Sequence, residues 1–236
     1  MNEIKILHLF PKLLSLYGEY GNVAVLRRTL EQNGIEVQVD SYEDGILNLE
    51  GYGLVYVGAG TEDNLMEAIR RLQPYADEIK TSVAGSTRWL VTGNAMTLFG
   101  AAVSRYEAAS PALGCFDYST TIHDDRRYLG DVLTEEAFGG PLVGFINTSS
   151  VFTGVAAPLL TLKLNTNLGN DKKGCMDGIH VGNFYGTQLI GPVLAKNPHL
   201  LCHICRELTG TEVTIDENTN IQKAYQVALT ELRARV

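Results

Sequence analysis

The chain is short of cysteine and of long apolar runs, and each shortage excludes something. Four cysteines in 236 residues (Cys115, Cys175, Cys202 and Cys205) make neither a disulfide framework nor a zinc array. The one C-x-x-C, at 202–205, lies in "NPHLLCHICRELTG", where Leu201, Ile204 and Leu208 recur at helical spacing. That segment reads as a half-buried helix face, and no metal is expected. No run approaches the roughly 20 apolar residues that span a bilayer. No secretory signal leads the chain, which goes straight into the core-strand pattern "EIKILHLF", so a cytoplasmic protein without membrane insertion is expected. Positive charge is also scarce, 19 Lys+Arg against 27 Asp+Glu for a net charge of -8. That balance disfavours nucleic-acid partners, which need a concentrated positive field.

What remains is an ordinary globular composition, 45% hydrophobic and 19% charged. The length suits one α/β domain over 1–236, with no linker or internal repeat to divide it. "EIKILHLF" and "IEVQVDSY" read as strands, and "GNVAVLRRTLEQNG" between them as a helix stopped at Asn33-Gly34. "GLVYVGAG" is a continuous apolar run released into glycines, the mark of a parallel strand buried on both faces. Residues 61–80 carry a helical stripe interrupted at Pro74. "RWLV" is a further strand, and the segment after its turn reads as a helix. The first hundred residues therefore predict β-α-β-β-α-β-α. This is a flavodoxin-like, doubly wound, mostly parallel α/β sheet, whose ligands gather at the carboxyl ends of the strands. From about residue 114 the pattern turns β-rich: "GCFDYSTTI", "RRYLGDVLT", "LVGFINTSS", "LLTLKLN" and "FYGTQLIG". Helices return at 198–209 and 219–234.

Two turns could carry chemistry. "WLVTGNAMTLFG", 89–100, has the strand–turn–helix shape of a nucleophile elbow, but its tip reads Thr92-Gly93-Asn94. Gly58-Ala59-Gly60-Thr61 offers backbone amides that could face an oxyanion, since glycine puts no Cβ in the way. The five histidines (His8, His123, His180, His199, His203) follow no strand-ending motif in the manner of a general base. The G-x-x-x-x-G-K-[ST] phosphate loop is absent, so no nucleotide cofactor is expected here.

Taken in order, "LFPKLLSLYGEYGNVAVLRRTLEQNGIEV", "GLVYVGAGTED", "WLVTGNAMTLFG", "VGFIN" and "DGIHVGNFYGTQLIGPVLAKNP" resemble the CobB/CobQ-like class I glutamine amidotransferases. The resemblance spans about the whole chain. It is greatest to the glutaminase branch of lipid II isoglutaminyl synthases, through the "LYGEYGN" and "GT-x-L-x-GP-x-L-x-KNP" blocks. It implies a glutaminase that passes ammonia to a Mur-ligase-like, ATP-using partner, which amidates the D-glutamate of lipid II in peptidoglycan biosynthesis. In that family a thioester forms on a Cys-Gly-Gly elbow, and the His of Gly-Thr-Tyr-Leu-His-Gly-Pro serves as base. Aligned without a gap through "TLFG", the nucleophile falls at Gly93, with Asn94 and Ala95 in place of the two glycines. The base falls at Ile190, and the Glu-Asn-His after Gly-Phe reads Ile146-Asn147-Thr148. Glycine cannot attack and isoleucine cannot take a proton.

Three readings follow. The chain is a degenerate glutaminase kept as partner of the ligase, with "LYGEYGN" and "GPVLAKNP" retained as its partner-binding surface. Or it is an active glutaminase with another nucleophile, Thr92 being the substitute within reach, since migration of Cys115 or Cys175 asks for more. Or it is a binding or sensing module whose emptied pocket, at Gly60, Gly93 and Ile190, takes glutamine or another small molecule. Gly58, Ala59, Gly60 and Asn94 are then candidates for an oxyanion loop, and Asn147 and Gln188 for polar pocket residues.

Overall fold

A computed structural model describes residues 3–236. In chain order the first half runs β1 (Ile4–Leu9), α1 (Tyr20–Gln32), β2 (Val37–Tyr42), β3 (Leu54–Val57), α2 (Glu62–Leu72), α3 (Ala76–Ala84) and β4 (Arg88–Thr92). The second half begins with β5 (Ala102–Arg105), β6 (Ala108–Pro111), β7 (Ser119–Ile122), β8 (Tyr128–Ala137), β9 (Gly140–Thr148) and β10 (Ser150–Thr153). It continues with β11 (Leu160–Thr161), β12 (Met176–Asp177), β13 (Ile179–Val181), β14 (Phe184–Thr187), β15 (Leu189–Ile190), α4 (Val193–Lys196), α5 (Pro198–Thr209) and α6 (Asn220–Arg233).

Five strands form a parallel sheet in the order β14-β4-β3-β1-β2, with β13 antiparallel on the β14 edge. The two central strands explain the continuous apolar runs in the sequence, because helices or strands cover both of their faces. Alternation along them divides two cores. Val55, Val57, Trp89 and Val91 face α2 and α3, with Leu65, Ile69, Leu72 and Ile79. Tyr56 and Leu90 face the other way, with Val23, Leu26 and Leu30 of α1 and Leu201 and Ile204 of α5. The same pleat sends Thr92 toward the α1 face, and this decides its surroundings below.

Around this sheet lie an antiparallel sheet β15-β9-β8 and a four-stranded sheet β10-β7-β5-β6. α6 caps the first of these, burying Tyr225, Leu229 and Leu232 against Leu133 and Val143. The interruption expected at Pro74 is present: α2 ends at Leu72, and a 3-10 turn at 73–75 leads into α3.

The structure departs from expectation at several places, three of which have a visible cause. Residues 93–99 form a 3-10 segment rather than an α-helix. Their carbonyls are drawn into tertiary bonds: Leu98 O accepts from Leu113 N, Phe99 O from Cys115 and Phe116 N, and Met96 O from the Tyr118 hydroxyl. The "LLTLKLN" strand shrinks to Leu160–Thr161, because the Lys163 and Leu164 amides both turn to Leu133 O. Finally, β5 and β6 form a hairpin whose turn places Tyr106 at φ 51° and Glu107 at φ 63°. Such turns usually announce themselves with Asn-Gly, and this one does not.

Candidate functional site

The carboxyl ends of β3, β4, β14 and β15 converge on one point, the turn after β4. Gly93 there has φ +65°, the left-handed backbone of an elbow that aims one residue out of the sheet. The space in front of it is filled. A Cβ on Gly93 would lie 2.6 Å from the Ala59 Cβ and 2.8 Å from Ile190 Cγ2. Ala59 and Ile190 are themselves 1% and 3% exposed, so the plug is dry.

The Gly58–Gly60 loop is likewise closed. The Asn94 carboxamide pairs with Gly60 in both directions: Gly60 N–H donates to Oδ1 at 3.2 Å, and Nδ2 donates to Gly60 O at 2.8 Å. The Ala59 carbonyl accepts from Leu16 N at 3.0 Å. Cβ atoms at Gly58 and Gly60 would run into Leu14, which lies across the loop. The amide expected to face an oxyanion at Gly60 therefore serves Asn94 instead. These glycines are needed because Leu13 and Leu14 pass so close.

Behind the elbow, on the α1 face, sits a buried acid that the sequence reading missed. Glu19 is fully enclosed. Its Oε2 accepts from the hydroxyls of Thr92 and Tyr56, the latter at 2.6 Å, and from Asn22 Nδ2 at 3.4 Å. Its Oε1 accepts from Gly191 N at 2.7 Å. Burial raises the Glu19 carboxyl above its ordinary range, while the hydroxyls of Thr92 and Tyr56 and the Gly191 amide act in the opposite direction. Tyr56 is pushed well above the usual phenol value, first by burial and then by this carboxylate. Thr92 thus has a carboxylate within reach, but it is enclosed with it and has no solvent exposure. One signal for this cluster was legible: Tyr56 is a polar tip inside the buried run "LVYV", and such a group needs a partner.

The two remaining candidates lie elsewhere. Asn147 is on the rim, accepting from Arg127 Nε at 2.8 Å and donating to the Tyr17 hydroxyl at 3.2 Å. Arg127 also reaches Glu62, which accepts from Ser149 Oγ at 2.7 Å. Gln188 turns away from the elbow altogether. Its Nε2 donates to Asp177 at 2.9 Å and Asn170 at 3.2 Å, and its Oε1 accepts from Lys172. It bridges a buried acid to a lysine that burial lowers to about 8.

The two blocks read as a partner-binding surface, "LYGEYGN" and "GPVLAKNP", pack on each other, while Tyr17 and Tyr20 of the first stay exposed. Asn22 Oδ1 accepts from Leu194 N at 2.9 Å, and Gly21 lies flush on Pro192, where a Cβ would come within 2.7 Å of its ring. Asn197, wholly buried, holds Val143 through both its amide and its carbonyl, at 2.8 and 3.0 Å. Glu19, Asn22 and Asn197 answer to internal packing. Among the described residues no group of three or more His, Cys, Asp or Glu side chains could hold a metal ion. No helix there is long and apolar enough to cross a membrane.

The parallel sheet, the elbow after β4 and the turn at 190–191 define the fold of the class I glutamine amidotransferases. A solved glutamine amidotransferase shares it over 87% of this chain and 99% of its own length, with a TM-score of 0.55 at 18% identity. The chain's curated homologues narrow this further. The lipid II isoglutaminyl synthase (glutamine-hydrolyzing) subunit GatD of Staphylococcus aureus (strain N315) is 26% identical over 199 residues, covering 84% of this chain and 81% of that protein. The protein of the same name from Streptococcus pneumoniae (strain ATCC BAA-255 / R6) is 25% identical over 207 residues, covering 84% and 77%. No protein-family model matches the chain.

Proposed function

We propose that this chain is a glutaminase-like subunit of a lipid II-amidating synthase that no longer hydrolyses glutamine. In this reading it supports a Mur-ligase-like, ATP-using partner in the cytoplasm, and that partner takes free ammonia. The homologues' names support the pathway. The observation that carries the loss of chemistry is the plug at the elbow: glycine at 93 supplies no nucleophile, isoleucine at 190 no base, and Ala59 with Ile190 occupies the volume in which a side chain at 93 would sit. Thioester chemistry needs a thiolate and a proton acceptor in contact at that point.

One observation favours a second reading, in which Thr92 is the nucleophile: its hydroxyl donates to Glu19. Against it, the pleat turns Thr92 into the α1 core, where a substrate carbonyl has no way in. The deciding assay measures glutamate released from glutamine by the purified chain, alone and with its ligase partner. No release in either mixture, with amidation running on ammonium salts, is the expected result. Release that disappears in Thr92→Val would overturn the proposal in favour of the second reading.

A further inference from the structure

Between α4, α6 and β9 the structure leaves a cavity of about 470 Å³. That volume falls within the usual range of small-molecule sites. Its walls are largely apolar, from Val143, Phe145, Ala195, Ala224, Ala228 and Leu232, with Arg235 and the half-buried Lys196 as its cations and Asp131 and Glu231 as its acids. The Lys196 ammonium makes one hydrogen bond, to Ile190 O at 3.3 Å. Among the described residues it has no ion-pair partner within 4.0 Å.

Two of the acids near it are already taken, and the third, Glu231 on the cavity wall, is exposed to solvent. Glu19 attracts Lys196 through space, but its oxygens are occupied by Thr92, Tyr56, Asn22 and Gly191. Asp131, on the cavity wall, is paired to Arg235 at 2.7 Å. An ammonium carries three donors, so two are left at the edge of an apolar chamber. A desolvated cation beside apolar walls complements an anion attached to an apolar body, because the ion pair and the apolar contact are made together. Burial lowers the Lys196 pKa, against the opposing attraction of Glu19 and Asp131.

We propose that the α4–α6 cavity binds a small organic carboxylate with an aromatic or branched apolar body. The carboxylate sits on Lys196, and the body lies against Phe145, Ala224 and Leu232. The site is separate from the elbow and stands whether or not the chain hydrolyses glutamine.

The test is calorimetric titration of the full chain with 4-phenylbutyrate, using 4-phenylbutanamide as the neutral control. The acid should bind at least about tenfold more tightly than the amide, the scale of one charge-assisted hydrogen bond. Ala224→Trp, which fills the cavity from an exposed helix position, should abolish binding of both. Lys196→Gln should bring the acid down to the affinity of the amide. Equal binding of acid and amide, binding that survives Ala224→Trp, or no binding of the acid at all would each overturn the proposal. If Lys196→Gln proves misfolded by thermal melting, the acid–amide comparison and Ala224→Trp still decide.

Discussion

At the scale of single residues, the elbow shows how tightly a glycine can be held in place. Gly93 is tied to its position by two constraints, a left-handed backbone and neighbours at 2.6 and 2.8 Å from where a Cβ would be. A left-handed conformation costs a non-glycine residue about 1 kcal/mol, and overpacking adds about 1–3 kcal/mol. Gly93→Ala is therefore expected to lower unfolding stability by about 2–4 kcal/mol, read from urea denaturation. Ala59→Gly removes the nearer of the two obstacles. In the double variant it should recover at least about 1 kcal/mol of that loss, a coupling that a pure backbone penalty would not produce. Placing a cysteine at 93 and a histidine at 190 would thus leave Ala59 still in the way.

At the scale of elements, α1 and α4 are joined by the two sequence blocks that resemblance singled out, and the joint makes an unusual demand on Gly21. In a helix, glycine to alanine normally gains up to about 1 kcal/mol. Here the new Cβ would press on the Pro192 ring at 2.7 Å. We expect Gly21→Ala to destabilise by about 1 kcal/mol or more despite its better helix propensity, and Pro192→Ala to relieve part of that loss, both measured by chemical denaturation. Most elements were legible because their signals are local. The stripe of Leu201, Ile204 and Leu208 marks α5, Pro74 marks the break after α2, and "LVYVGAG" marks a central strand. The elements that escaped are those whose cause is distant. The 3-10 segment at 93–99 is shaped by residues 113–118, and the β5–β6 turn uses Tyr106 and Glu107 in a conformation their types rarely adopt. For the same reason the burial of Glu19 and Asn22 within "LYGEYGN" was not legible. Their side chains are satisfied by partners up to 172 positions away, and nothing in the local pattern shows that.

At the scale of the whole molecule, the site is where four chain segments close around one enclosed acid, and that arrangement sets how the protein responds to pH. His8 projects from β1 onto the edge of the Tyr56 ring, 5.1 Å between centroids, and its Nε2 has no hydrogen-bond partner. Burial lowers it to about 4, whereas an unfolded histidine titrates near 6.5. Between those values the unfolded chain takes a proton that the folded chain refuses. The His8 contribution is therefore complete above about pH 6.5 and is lost as pH falls toward 4, by up to about 3 kcal/mol. Burial shifts His199 and His203 in the same direction. Glu19 runs the other way, since its raised pKa lets the folded state take a proton first and offsets part of the loss in acid. Stability followed by thermal melting should thus decline steadily from pH 6.5 to 4.5. His8→Leu, which keeps an apolar body against Tyr56 and deletes the unpartnered nitrogen, should melt no lower than the parent at pH 7.5 and show a visibly shallower decline in acid. Parallel curves for the two proteins would assign the acid sensitivity to the helix α5 histidines and away from the sheet.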